Sequence, residues 1–209
     1  MRTLYHFRFS PFSRRVRLAL AHKGLDVELR EGRDVPSNLE EARKLSPLRT
    51  LPVYVDEGCV LSDSTAITHW LDSAYPKAPR LWPDGEHAAK ALQTAALADA
   101  VLDNVINLGT RYWPLRDHPA WASVRDEMLG RARDAADALV RAATTETIAG
   151  AWSAADIYLL SLTLWFESMP ERRSSSANIA QILTLGFSLP PALSRWADAH
   201  RKRPDRLSL

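Results

Sequence analysis

The sequence of 209 residues has a single cysteine, Cys59, and only 8 glycines. A lone cysteine forms neither an internal disulfide nor a cysteine metal cluster, so disulfide-stapled and cysteine-rich zinc domains are excluded. Few glycines beside 13 prolines exclude collagen-like and low-complexity architectures. A hydrophobic share of 46% and a charged share of 25% exclude a disordered chain. We expect Cys59 to be a small, buried core residue.

The sequence also has little net charge and no long hydrophobic run. Its 27 Lys and Arg residues against 25 Asp and Glu give a formal charge of +2, too small for a strong attraction to nucleic acid or an anionic membrane. The longest apolar run, residues 157–166, is shorter than the roughly 20 residues that span a bilayer. The charged N-terminus is unlike a signal peptide. We expect a cytoplasmic protein without nucleic-acid or membrane partners.

The first part of the chain alternates between strand and helix patterns. Residues 3–7 and 27–30 are β-prone, and between them apolar residues recur at helical spacing. Residues 31–45 are polar and are expected to form a loop with one weak helical turn. Two apolar runs around an acidic turn at residues 51–61 predict a β-hairpin, and a helical stripe follows it. This βαβ-ββα order predicts a small α/β domain in residues 1–76.

The second part of the chain has helical periodicity without a strand signal. Prolines at 76, 79 and 83 predict a linker at residues 77–86, and residues 87–209 are expected to form an all-α bundle. The predicted helices begin near residues 86, 120, 153, 177 and 190. The spacing of Ser153 and Asp156 is that of a capping box, to which we assign a structural role only.

Two helix starts have residue types suited to holding an anion or a zwitterion, and Pro52 is a further candidate feature. Ser10 lies where a strand is followed by a helix, so its hydroxyl and the free N–H groups of the helix start favour a thiolate or a carboxylate. Pro52 is expected at the start of a strand, with a cis bond as the alternative to an ordinary trans proline. Asp63 and Ser64 begin another helix and are suited to a ligand's ammonium and carboxylate groups. For all three serine or aspartate positions, helix capping is the competing role.

These stretches together resemble the cytosolic glutathione S-transferase family, whose order and distances they follow. The N-terminal motif is similar to that of serine-type members of the family, either bacterial members or members of the zeta, tau or omega classes. The matching stretches are residues 10–20, residues 46–53, residues 61–67 and residues 153–156. The resemblance implies a thioredoxin-like N-terminal domain, an all-helical C-terminal domain, glutathione as co-substrate and no metal.

The resemblance also assigns roles to individual residues. Ser10 falls on the catalytic position, and Tyr5 is a rival because tyrosine-type members carry their hydroxyl near it. The residues expected to bind glutathione are Leu51, Pro52, Asp63, Ser64 and, as a substitute for the family's usual lysine, Arg49. The residues expected to line the co-substrate pocket are Phe12, Arg111 and Trp113.

Three functions are compatible with this reading of the sequence. The first is conjugation of glutathione to small hydrophobic electrophiles by a homodimeric enzyme. The second is glutathione-dependent isomerisation of an unsaturated diacid, as in maleylacetoacetate isomerase, which an arginine such as Arg111 in the pocket would favour. The third is a weakly catalytic binding or scaffold protein with the same fold.

Overall fold

The computed structural model describes residues 1–201, and its first unit is a four-stranded mixed sheet with helices on its faces. The strand order is β2-β1-β3-β4; β2 runs parallel to β1, while β3 is antiparallel to both β1 and β4. The elements are β1 (Thr3–His6), α1 (Pro11–His22), β2 (Glu28–Glu31), α2 (Pro36–Leu45), β3 (Val53–Asp56), β4 (Cys59–Ser62) and α3 (Ser64–Ala74). The predicted thioredoxin-like α/β fold is confirmed.

Helix α2 occupies the segment that was expected to be a loop, so that expectation is wrong. Only Ala42 of this helix is buried, against Tyr5 and Val53 of the sheet. Such a shallow contact leaves too little apolar periodicity in the sequence to predict more than the one weak helical turn. Pro36 in the first turn suits a helix start, because its missing N–H would have no partner there.

The second unit is helical, as expected. Its helices are α4 (Glu86–Gly109), α5 (Trp121–Ala142), α6 (Ala154–Glu167), α7 (Ala177–Thr184) and α8 (Pro191–His200), with 3₁₀ turns at Trp113–Leu115 and Pro170–Arg172. Helix α4 begins at the end of the proline-rich segment; the domain boundary itself stays a prediction. Within residues 1–201 no helix is both long and apolar enough to cross a membrane.

Helix α6 is the centre of the second unit and is buried from Ala154 to Trp165. The predicted capping box at its start is present. The Asp156 carboxylate accepts hydrogen bonds from the backbone N–H groups of Ile148 (2.9 Å) and Ser153 (3.0 Å) and from the Ser153 hydroxyl (3.1 Å). Burial raises the pKa of Asp156, and these three donors oppose that shift. The role of this pair is structural, because it also ties residue 148 to the helix.

Candidate active site

Two adjoining cavities lie beside the N-terminus of α1 and share Phe7 and Phe12 as a common wall. The first, of about 460 Å³, lies along the start of β3 and the start of α3. The second, of about 680 Å³, lies between α1 and the helices of the second unit and is bordered by Ser10. The two cavities therefore form neighbouring compartments of one cleft, of which the second is the larger.

The first cavity brings together all of the residues that were expected to bind glutathione. They are Arg49, Leu51, Pro52, Asp63 and Ser64. The Leu51–Pro52 peptide bond is cis and immediately precedes β3. Sequence reasoning missed two further charged lining residues, Arg43 and Asp103. Arg43 belongs to the helix that was expected to be a loop, and Asp103 comes from α4, so no local pattern connects it to this site.

Asp63 caps α3 and lines the first cavity, so its two proposed roles are not exclusive. Its Oδ1 atom accepts the N–H groups of Thr65 at 2.9 Å and Ala66 at 3.0 Å. Both bonds use one oxygen, and within residues 1–201 Oδ2 has no hydrogen-bond partner. The backbone of Asp63 has φ = 78°, a region costly for residues other than glycine. Strained residues of this kind cluster at ligand sites, and Arg49 (φ = 53°) lines the same cavity.

A buried arginine lies directly behind the start of α3. Arg15 is 0% exposed; its Nη1 is 2.5 Å from the Asp99 carboxylate and 3.5 Å from the Ser64 hydroxyl. Its guanidinium also stacks on the Tyr158 ring, 4.0 Å from the centroid. Burial raises the pKa of Asp99, and the Arg15 charge opposes this; burial and then Asp99 raise the pKa of Asp103. Of these two carboxylates Asp103 lines the first cavity, where a ligand's cationic group would stabilise its charge.

Ser10 is the N-cap of α1 and also lines the second cavity. Its Oγ accepts the backbone N–H of Ser13 at 3.2 Å, which confirms the capping role. A hydroxyl that accepts in a cap still has its own O–H to donate, so capping leaves Ser10 able to hydrogen-bond a thiolate. Ser13 differs, because it is buried and its Oγ accepts the Phe7 N–H at 3.2 Å.

The second cavity has an apolar body with an arginine-rich rim. Its apolar lining consists of Phe7, Phe9, Pro11, Phe12, Ile106, Trp165, Ile179 and Ile182. Arg8, Arg33 and Arg172 are the basic lining residues, and Glu31 and Asp34 are the acidic ones. Ile182 packs directly on Gly109 of α4, where an added Cβ would overlap the Ile182 side chain and come 3.1 Å from its Cα.

Two of the expected co-substrate residues do not line this cavity. Trp113 borders a separate depression, in which its ring centroid is 6.2 Å from that of Trp121. Arg111 is exposed and lines neither cavity of the cleft. Phe12 does line it, and Arg33 and Arg172 occupy the place expected of Arg111. Helix α4 ends at Gly109, and of the residues that follow it Thr110 still lines the second cavity, whereas Arg111 and Trp113 do not.

Two other expectations are corrected by the structure. The Tyr5 hydroxyl accepts a hydrogen bond from Arg30 Nη1 at 3.0 Å on the α2 side of the sheet, and Tyr5 lines neither cavity. Burial and then Glu41 raise the pKa of the Tyr5 hydroxyl, although Arg30 opposes this shift, so Tyr5 is a poor rival to Ser10. Cys59 is half-buried rather than buried, because β4 is an edge strand. No group of three potential metal-ligating side chains occurs in the described part of the chain.

Comparison with known proteins supports this description. Residues 4–79 match the family described as glutathione S-transferase, N-terminal domain. A probable glutathione S-transferase GSTU1 of Oryza sativa subsp. japonica is 36% identical over 129 residues, which are 59% of this chain and 55% of the rice protein. The chain thus spans about half the length of the curated relatives it matches.

Solved structures extend the likeness over nearly the whole chain. A glutathione S-transferase of Methylobacterium radiotolerans, in complex with glutathione sulfonate, has a TM-score of 0.75 and 24% identity, with 98% of this chain and 92% of that chain covered. Rice GST1, in complex with glutathione, has a TM-score of 0.67 and 29% identity, with 98% and 88% covered. The helical unit therefore shares the fold of these proteins as well.

Proposed function

We propose that this chain belongs to the cytosolic glutathione S-transferase family, binds glutathione in the first cavity and joins the glutathione sulfur to an electrophile in the second. One observation carries the proposal: Arg49, Leu51, Pro52, Asp63 and Ser64 all line one cavity next to Ser10. Glutathione is proposed as the ligand because relatives are named glutathione S-transferases and structural neighbours were solved with glutathione or its sulfonate. Cytoplasmic location is proposed from the same resemblance.

The ends of glutathione have chemically suitable partners in the first cavity. We assign the γ-glutamyl ammonium to Asp63 and its carboxylate to Ser64 and the start of α3. The glycyl carboxylate is assigned to Arg49, with Arg43 as a second cation on the same cavity. The Leu51 backbone would pair with the cysteinyl part beside cis Pro52. This orientation directs the thiol towards Phe7 and Phe12, the wall that both cavities share.

The chemistry is activation of a thiol. A free thiol with a pKa of about 8.5 is mostly protonated at neutral pH, whereas only the thiolate attacks. The Ser10 hydroxyl and the free N–H groups of α1 stabilise the thiolate, and each unit by which they lower its pKa corresponds to about 1.4 kcal/mol. The thiol proton is lost to solvent. The sulfur then forms a C–S bond with the electrophilic carbon, and the leaving group departs with the electron pair.

A glutathione-dependent isomerase is the second candidate, because arginines do reach the second cavity. Arg33 and Arg172 would suit the carboxylates of an unsaturated diacid. In that reaction the thiolate adds to a double bond, the new single bond rotates, and expulsion of the thiolate regenerates glutathione. The two reactions differ in whether glutathione is consumed. A scaffold role is less well supported, because a scaffold that binds no ligand does not need this set of residues at one cleft.

Retention on immobilised glutathione, followed by assay with 1-chloro-2,4-dinitrobenzene, tests the proposal. We expect retention, elution by free glutathione, and consumption of one glutathione per chloride released. The control variant Glu146→Gln changes an exposed loop carboxylate outside both cavities and should behave as the parent chain does. Absence of retention together with absence of conjugation would refute the proposal, whereas retention without conjugation would favour the scaffold role.

A further inference from the structure

The rim of the second cavity carries positive charge that the protein itself leaves largely unneutralised. Arg172, at the end of the 3₁₀ turn Pro170–Arg172, lines the cavity with its guanidinium 4.7 Å from the Phe9 ring centroid. Arg33 lies opposite and donates from Nη2 to the Ser175 carbonyl at 2.8 Å, which connects the β2–α2 loop to the second unit. Neither arginine has a carboxylate within ion-pair distance in residues 1–201.

Arg172 has hydrogen-bond donors to spare. Its Nη1 donates to the Ser168 hydroxyl at 3.1 Å, and its buried Nε has no partner within the described residues. A guanidinium carries five N–H groups, so most of its donors remain free for a ligand. Burial lowers the pKa of Arg172, and the neighbouring Arg33 lowers it further, as expected where like charges meet without a counter-charge.

A second layer of cations lies behind this rim. Arg14 and Arg17 on α1 are 5% and 4% exposed, and burial lowers the pKa of each to about 10. Arg14 feels the charges of both Arg17 and Arg172. An anion placed at Arg172 would therefore be stabilised by more than one guanidinium, at a place where burial limits screening by salt.

The nearby carboxylates offset this charge only in part. Glu31 accepts the backbone N–H groups of Arg8 at 2.6 Å and Arg33 at 2.9 Å, and its charge raises the pKa of the buried Arg17. Glu167, which faces Arg14, forms an ion pair with Arg201. Asp34 is exposed to solvent at the cavity edge, as Arg33 is, so solvent screens both of these charges more than that of the half-buried Arg172.

From this arrangement we infer that the electrophile of the proposed transferase is an amphiphilic anion, with an apolar body against Phe9, Ile179 and Ile182 and a carboxylate at Arg172 and Arg33. The inference rests on the proposed function. An anionic electrophile must approach a glutathione thiolate of the same sign, and the two negative charges repel each other. Guanidinium groups next to Phe9, the residue before Ser10, offset that repulsion.

A pair of probes that differ in charge tests this inference. The probes are 4-chloro-3-nitrobenzoate and its methyl ester, which both react by forming an aryl C–S bond and releasing chloride with its electron pair. For each, kcat/KM is divided by the rate constant of the uncatalysed reaction with glutathione, and the benzoate-to-ester ratio is compared. Variants are Arg172→Gln, Arg172→Lys and, as a matched control, Arg173→Gln, an exposed neighbour that does not line the cavity.

We expect the parent chain to favour the benzoate and Arg172→Gln to lower the benzoate-to-ester ratio roughly tenfold, the value of one lost charge-assisted hydrogen bond. Arg172→Lys should restore part of the ratio, and Arg173→Gln should leave it unchanged. KM for the benzoate should rise with salt more steeply than KM for the ester.

The inference is overturned if the ester is conjugated while the parent chain shows no preference for the benzoate, or if Arg172→Gln leaves the ratio unchanged. In either case the proposed transferase activity still stands. If neither probe is conjugated and immobilised glutathione does not retain the chain, the proposed function fails and the inference fails with it.

Discussion

Arg15 Nη1 lies 2.5 Å from the Asp99 carboxylate, and this ion pair joins α1 of the sheet unit to α4 of the helical unit. The same guanidinium contacts the Ser64 hydroxyl at the start of α3. The pair therefore supports the wall of the first cavity from behind, where a fully buried cation would otherwise have no counter-charge.

Asp99→Ala should lower the free energy of unfolding by about 2 kcal/mol, because it leaves the Arg15 guanidinium buried without its carboxylate. The value is below that of a wholly buried pair, since the Asp99 side chain is 31% exposed. Urea unfolding measures the change, with Asp134→Ala, an exposed carboxylate on α5, as the control. Equal effects of the two substitutions would show that the ion pair adds nothing.

Ser10→Ala should lower kcat for conjugation by roughly tenfold with little change in KM for glutathione, because the lost O–H bond acts on the thiolate. It also removes a helix cap, at a cost of about 1 kcal/mol in stability. Ser10→Thr keeps both the hydroxyl and the cap, whereas Ser10→Gly removes the hydroxyl with only a small loss of capping.

Titration of the thiolate absorbance of bound glutathione separates the two roles of Ser10. We expect the thiol pKa to be higher in Ser10→Ala and Ser10→Gly than in the parent chain, and unchanged from the parent chain in Ser10→Thr. If the thiol pKa in the three variants correlates with their stability rather than with the presence of a hydroxyl at position 10, Ser10 is only a cap.

Stability should fall as the pH is lowered below about 6.5, and His6 contributes to this loss. Burial, and then the Arg17 charge, hold the pKa of His6 below its usual value of 6.5, while Glu31 opposes the shift. The unfolded chain then binds a proton that the folded chain does not, at a slope of up to about 1.4 kcal/mol per pH unit. This contribution is fully present above pH 6.5 and is lost as the pH falls towards the folded-state pKa.

Measurement of the unfolding free energy from pH 8 to 5.5 checks this sign. The slope should be shallower in His6→Gln than in the parent chain, and His118→Gln, a change at an exposed histidine, should leave it unaltered. Parallel curves for all three proteins would contradict a buried neutral His6.

A homodimer is expected, formed by the sheet unit of one chain against α4 and α5 of the other. Leu92 on α4 is 50% exposed and Val60 on β4 is 41% exposed, so apolar surface is present on both faces. Such an interface should bury well over about 1,000 Å² and survive dilution. Sedimentation at micromolar concentration tests this expectation, since a single species of 23.4 kDa would exclude it.

Leu92→Glu should shift a dimer towards the monomer, because it places a charge in the expected apolar contact. The control is Leu115→Glu, which changes another exposed leucine (55%) in the 3₁₀ turn Trp113–Leu115. Equal sedimentation of the two variants would place the interface elsewhere.

The sheet unit was predictable because its strands and its capping residues leave local patterns. Pro52 and Asp63 could be assigned to strand and helix starts from their chemistry alone. Helix α2 could not, since Ala42 is its only buried residue and a shallow contact produces no periodic stripe.

The second cavity was harder to predict because its lining comes from distant segments. Arg33 and Arg172 meet only through the packing of the two units, and neither stands in a motif. Arg111 and Trp113 were expected in the cleft, but Arg111 lines neither cavity and Trp113 borders a separate depression. Aromatic and basic residue types are common near such sites, and residue type alone does not determine whether a side chain lines the cavity.

Gly109 affects the width of the second cavity although it does not line that cavity. Ile182 rests on the bare Cα of this glycine and lines the second cavity with its other side, so the backbone separation of α4 and α7 sets the room left for an electrophile. A single methyl group at position 109 would displace α7 without touching the ligand. Selection for a new electrophile therefore has a route through a position that no inspection of the binding surface would reveal.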